Sequence, residues 1–76
     1  MTNAEAKEAL KNRTPVIYNN IEYLYISAII YRYDKNNNLV ISVELTDKNK
    51  RSVTIAQLKD VITSYDNQNQ RTPFLS

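Results

Sequence analysis

The feature that most constrains the fold is a long run, residues 21–34, rich in β-branched and aromatic side chains. These residue types favour strands, and neither glycine nor proline interrupts the run. Most strands are shorter, about 5–6 residues, so a strand of this length is expected to bend, often through a bulge. We place the bend at the small residues Ser27 and Ala28 and expect the run to serve two parts of one sheet.

The turns around this run are marked by asparagine, because the chain contains no glycine at all. Asparagine tolerates the left-handed backbone region better than most other residues that have a Cβ atom. We therefore predict a two-residue turn at Asn19 and Asn20, after a short strand at residues 16–18. Hairpin turns are predicted at residues 34–38 and again at residues 47–50.

The segment between these two hairpins, residues 39–46, alternates between apolar and other side chains. Strict alternation is typical of an antiparallel strand with one buried face. The side chains predicted to share the inward face are those of Leu39, Ile41, Val43 and Leu45.

The next segment, residues 52–56, reads as a strand whose inward side chains are expected to be Val53 and Ile55. One helical turn is then predicted, leading into a last short strand near residues 61–65. The helical turn rests on the i, i+3, i+4 spacing of Leu58, Val61 and Ile62.

A helix is predicted at the N-terminus, over about residues 3–12. Thr2 and Glu5 have the spacing of a capping box, and the residue before Pro15 is pushed out of the helical region. The apolar face is thin, and its members are Ala6, Ala9, Leu10 and the aliphatic part of Arg13.

These elements predict a mostly-β domain, namely a small five-stranded antiparallel barrel with an N-terminal helix. Closing the sheet would remove the exposed edges of a meander this small. The order of elements over about residues 15–65 resembles the SH3-like barrel; the alternative is a half-open three-stranded meander covered by the helix. We expect a single domain over residues 1–65 and a flexible polar tail over residues 66–76.

A second resemblance rests on short stretches of sequence. Their pattern is similar to that of short uncharacterised proteins carried by phages and other mobile elements of AT-rich bacteria. The resemblance implies an accessory or anti-defence role and carries no functional residue over. The stretches are residues 15–18, 28–32, 42–45 and 52–56.

The composition excludes several kinds of chemistry. Without histidine or cysteine there is no Ser-His or Cys-His nucleophile and no zinc site built from these ligands, and without glycine there is no glycine-rich phosphate loop. Asp34 could begin a calcium loop, but Leu39 and Leu45 occupy the positions that require glycine and glutamate. We expect no enzyme, no catalytic residue, no metal and no cofactor.

The balance of ten Lys and Arg against eight Asp and Glu gives a net charge of only +2. This charge is too small to indicate nucleic-acid binding by itself. No apolar run approaches the roughly 20 residues of a membrane span, and the N-terminus lacks the pattern of a secretory signal. The expected location is the cytoplasm, with no membrane contact.

Two surface features remain as candidate sites, and the first is aromatic. Four tyrosines of the long run share one parity, so a bend should place one pair inside and leave the other outside: Tyr23, Tyr25, Tyr31 and Tyr33. The rings either close the ends of the core or form a platform for a partner. We predict a protein-binding site centred on tyrosine and arginine, residue types enriched at binding hot spots. Its residues are Tyr31, Arg32, Tyr33 and Lys35.

The second feature is basic and gives the alternative function, a small nucleic-acid-binding barrel. Its residues would be Lys48, Lys50 and Arg51 in the second hairpin. Consecutive antiparallel turns fall at opposite ends of a sheet, which separates these residues from Arg32 and Lys35. Solvated turn charges that aid solubility would explain the same pattern. A homo-oligomer formed through an exposed strand edge is a third alternative.

Overall fold

The computed structural model describes residues 1–64, which form one helix and two antiparallel sheets of three strands each. The mostly-β class with an N-terminal helix is therefore confirmed. The described elements number six strands rather than the predicted five, and the predicted tail lies outside the described residues. In chain order they are α1 (Asn3–Asn12), β1 (Val16–Tyr18), β2 (Ile21–Tyr23), β3 (Tyr25–Tyr33), β4 (Leu39–Thr46), β5 (Val53–Gln57), a 3₁₀ turn (Leu58–Asp60) and β6 (Val61–Thr63).

The extra strand arises because the long run is divided between the two sheets. The strand orders are β2-β1-β6 and β3-β4-β5, and the chain passes from one sheet to the other at Leu24. The Leu24 amide donates a hydrogen bond to the Thr46 carbonyl at 2.8 Å. The prediction that the run serves one sheet is therefore wrong, and within residues 1–64 no strand pairing closes the two sheets into a barrel.

The predicted bend at Ser27 is confirmed as a β-bulge in β3. The pairing with β4 shifts register between Ile26 and Ala28, so Ser27 is the extra residue. Its hydroxyl donates to the Glu44 carboxylate at 2.8 Å and accepts from the Thr46 hydroxyl at 2.9 Å. A single inserted residue reverses which face each later side chain occupies, because side chains alternate along a strand.

Asparagine takes the left-handed positions in two of the three turns. Asn19 and Asn20 have φ of 55° and 64°, as a type I′ two-residue hairpin requires at both central positions. Asn37 has φ of 63° in the second turn. In the third turn the left-handed residue is Lys50, at φ 59°, rather than the neighbouring asparagine.

Helix α1 packs its small residues against the core. The predicted capping box is present, because the Glu5 amide donates to the Thr2 hydroxyl at 3.1 Å and the Thr2 amide to the Glu5 carboxylate at 2.7 Å. Ala6 and Ala9 are buried, which lets the helix approach the sheet closely. The largest fully buried side chains are Val16, Ile26, Val43, Leu45 and Val61.

The prediction that Val53 and Ile55 face inward is wrong, since they are 52% and 54% exposed. Directly paired residues of an antiparallel sheet share a face. The β5 partners of the buried β4 residues Val43 and Leu45 are Ala56 and Thr54. The apolar pair of β5 therefore projects from the outer face of its sheet.

Candidate binding surface

The four tyrosines of the long run divide between core and surface, as predicted. Tyr23 is only 9% exposed, and Tyr25 is half-buried with the Arg13 guanidinium 5.0 Å from its ring centre. Tyr31 and Tyr33 are 48% and 70% exposed. The interpretation that the rings close the ends of the core therefore does not hold for Tyr31 and Tyr33.

Tyr31 and Tyr33 lie on one face at the end of β3, and their β4 partners are apolar. Tyr31 pairs with Ile41, and Tyr33 pairs with the half-exposed Leu39. The Tyr31 hydroxyl donates to the Asn3 side-chain oxygen at 2.7 Å, which ties the start of α1 to the sheet. Tyr31 thus has a structural role, whereas Tyr33 projects further into solvent.

Beside Leu39 an open concavity of about 410 Å³ lies between the chain start, β4 and the 3₁₀ turn. Its volume is in the range of small binding sites, but its openness suits a side chain or short segment of a partner better than an enclosed molecule. Among the residues that line it are Met1, Asn3, Leu39, Ile41, Leu58 and Lys59.

The predicted site residues are only partly brought together. Tyr31 and Tyr33 share a face, but Arg32 lies opposite Val40 on the other face of the sheet. Lys35 is exposed in the hairpin loop just beyond Tyr33. Because side chains alternate along a strand, three consecutive residues of β3 cannot all point to one partner.

No pattern in the sequence indicates the residues that form the concavity, among them Met1, Leu39 and Lys59. Leu39 belongs to the apolar stripe of β4, but it is the first residue of that strand and lies beyond the packed core. The apolar stripe of β4 extends beyond the packed core, and that extra length is the one sequence signal that could have indicated that Leu39 is exposed.

Asp34 caps the loop that carries Lys35. Its carboxylate accepts backbone hydrogen bonds from Asn38 at 3.0 Å and Asn36 at 2.8 Å. These two bonds, that from Asn38 foremost, stabilise the ionised form and lower the pKa of Asp34 below its usual range. Lys35 is therefore presented from an ordered turn.

The basic residues of the other hairpin are partly neutralised. The Lys48 ammonium lies 2.6 Å from the Glu22 carboxylate, and the hydrogen bonds from Lys48 and then Ser64 lower the pKa of Glu22. Asp47 lies at the base of the same turn and accepts from the Arg51 amide at 3.0 Å. Only Lys50 and Arg51 of the predicted nucleic-acid set remain outside an ion pair in the described part of the chain.

Comparison with models of known protein families, with curated proteins and with solved structures finds no match. None of the helices in residues 1–64 is long and apolar enough to cross a membrane. The same residues contain no cluster of three or more acidic side chains that could hold a metal ion.

Proposed function

We propose that this protein is a non-catalytic binding module that engages a protein partner at the end of the β3-β4 hairpin. The observation that carries the proposal is the exposed pair of Tyr33 and Leu39, which are 70% and 50% exposed and are strand partners; Leu39 also lines the concavity. Exposed aromatic and aliphatic side chains placed together supply the apolar centre that protein interfaces require.

The charges around this surface indicate the kind of partner. Lys35 lies in the loop next to Tyr33, and Lys59 lines the concavity. An apolar side chain of the partner would enter the concavity against Leu39, while Tyr33 would contact the partner from the strand position opposite Leu39. Acidic residues flanking that side chain would face the two lysines and speed the encounter.

The SH3-like architecture belongs to this proposal as well. It is supported by the order of the two sheets, by the crossing of the chain at Leu24 and by the 3₁₀ turn before β6. The resemblance to phage and mobile-element proteins implies an accessory or anti-defence role in the cytoplasm, in which such a module would act by occupying a host protein.

Affinity capture from the native host tests the proposal. We expect Tyr33→Ala and Leu39→Ala to lose a protein that the unmodified chain retains. Ile21→Ala is the matched control, because Ile21 is 53% exposed on β2 of the other sheet. Equal capture by all three variants, with unchanged thermal unfolding, would contradict the proposal.

The nucleic-acid alternative predicts a different result. An oligonucleotide should bind at low salt, its affinity should fall steeply as salt rises, and Arg51→Ala should weaken it. Because the net charge is only +2 and one of the three cations is shared with Glu22, the surface offers few phosphate contacts, and we expect no binding in an anisotropy titration at low salt.

A further inference from the structure

Strand β5 forms an edge of its sheet without the devices that usually protect one. It pairs with β4 and with no other strand of residues 1–64. Natural edge strands are commonly guarded by charged residues, proline or a bulge. The sequence of β5, Val53–Gln57, contains no charge and no proline, and it exposes Val53 and Ile55.

The backbone pairing shows which groups of β5 point outward. The Asp47 amide donates to the Ser52 carbonyl at 3.1 Å, which marks the pair at the base of this hairpin as hydrogen-bonded. Hydrogen-bonded and non-hydrogen-bonded pairs alternate along an antiparallel ladder. It follows that Thr54 and Ala56 bond to β4, while the backbone groups of Val53, Ile55 and Gln57 point away from it.

We propose that β5 is a dimer interface that pairs antiparallel with β5 of a second copy of this chain. With the two-fold axis beside Ile55, Ile55 pairs with its own copy and Val53 pairs with Gln57. All three outward-pointing residues then form hydrogen-bonded pairs, and the two sheets join into one of six strands.

A second copy fits this edge because the edge is complementary to itself. No charged side chain lies within Val53–Gln57, so pairing brings no like charges together in the ladder. The flanking residues carry both signs, with Lys50 and Arg51 before the strand and Lys59 and Asp60 after it. Pairing about Ile55 places Lys50 opposite Asp60 and Arg51 opposite Lys59, one attractive and one repulsive pair, so the fit rests on the uncharged strand and its outward backbone groups. Dimerisation also adds buried surface to a domain of a size that often needs it.

Sedimentation equilibrium of the full chain over a wide concentration range tests the proposal. We expect a monomer–dimer equilibrium that Ile55→Lys weakens at least about tenfold, since it places two ammonium groups at the axis. Ile55→Pro should act likewise, because it removes an outward amide and no bond to β4. Ile21→Lys, which places the same charge on an equally exposed residue of β2, should dimerise like the unmodified chain.

Cross-linking then tests the register. The chain has no cysteine, so Ile55→Cys introduces a single thiol at the axis. Hydrogen-bonded pairs have Cα atoms about 5.5 Å apart, within disulfide range, so oxidation should yield a covalent dimer with Ile55→Cys and far less with Ile21→Cys.

Two results would overturn the proposal. One is a monomer at every concentration tested. Protection of the Val53 and Ile55 amides from hydrogen exchange in that monomer would show that the chain's own C-terminal segment covers the edge. The other is a dimer that Ile55→Lys leaves intact and that Ile55→Cys does not cross-link.

Discussion

Tyr23 and Tyr33 belong to the same run of sequence, share the same parity and have similar neighbours, yet one is 9% and the other 70% exposed. Two backbone irregularities lie between them. At Leu24 the chain leaves one sheet for the other, and at Ser27 a bulge reverses the alternation of β3. Pairing puts Tyr33 on the same face as Ile29, which packs against the core, so Tyr33 is exposed because its end of the hairpin extends beyond the core. The comparison teaches that distance from the core, as well as the face of the strand, decides which tyrosines are buried.

Deleting Ser27 should have the largest effect on this contrast. Removal of the bulged residue would turn either Ile26 or the later residues of β3 to the opposite face. We expect loss of cooperative unfolding, measured by circular dichroism during a urea titration. Ser27→Ala keeps the residue count and is the control; an equally cooperative deletion variant would show that the bulge does not set the faces.

Tyr23→Ala should be strongly destabilising, because it empties a buried position in the core. Large-to-small substitutions of buried aromatic residues cost about 3–5 kcal/mol. The urea midpoint should fall accordingly, with Tyr23→Phe retaining most of the stability. A cost below about 1 kcal/mol for Tyr23→Ala, typical of surface positions, would mean that the ring is not part of the core.

Acid should weaken both hairpins that flank β4, with an effect on stability smaller than that of Tyr23→Ala and larger than that of Tyr33→Ala. Asp34 and Asp47 have pKa values below their ordinary value of 3.8; for Asp47 the Ser52 hydroxyl is the main cause and the Arg51 amide the next. A carboxyl group whose pKa is lower in the folded state than in the unfolded state stabilises the fold at any pH above its unfolded-state pKa. This stabilisation is lost as the pH falls through the folded-state pKa.

The urea midpoint should therefore decline below about pH 4. The decline should be smaller in Asp47→Asn and Asp34→Asn than in the unmodified chain, because each variant lacks one of the carboxylates that acid would protonate. Asp60→Asn is the control for removal of charge alone. A decline of equal steepness in all three variants would mean that these turns do not contribute to acid sensitivity.

Tyr33→Ala should have the smallest effect on stability, within about 0.5 kcal/mol, as for most surface substitutions. The reason is that Tyr33 lies 70% exposed beyond the packed core. Thermal unfolding of Tyr33→Ala beside Tyr31→Ala sharpens the comparison, because Tyr31 also holds Asn3 and should cost more. A Tyr33 variant as unstable as Tyr23→Ala would remove the distinction between the two tyrosines.

Local chemistry made much of this fold predictable. The helix and its cap follow from Thr2 and Glu5, the type I′ turn from Asn19 and Asn20, and the bulge from the small residues in a long strand. Each of these features is determined by residues close together in sequence, so it can be predicted without knowing how distant segments pair.

The features that failed depend on pairing between distant segments. Val53 and Ile55 have the pattern of an inward strand, but the register with β4 turns them outward. Likewise, Arg32 lies between Tyr31 and Tyr33 in sequence, but strand alternation places it on the opposite face of the sheet from them. The concavity beside Leu39 needs the chain start and the 3₁₀ turn to meet, which no local pattern predicts.

The division of the tyrosines is tested most directly by their accessibility in solution. The full chain is labelled with 3-fluorotyrosine, each resonance is assigned from single Tyr→Phe variants, and a soluble paramagnetic agent is added. The fluorine signal of Tyr33 should relax fastest, that of Tyr31 less and that of Tyr23 least. Equal relaxation of Tyr23 and Tyr33, or faster relaxation of Tyr23, would contradict the account.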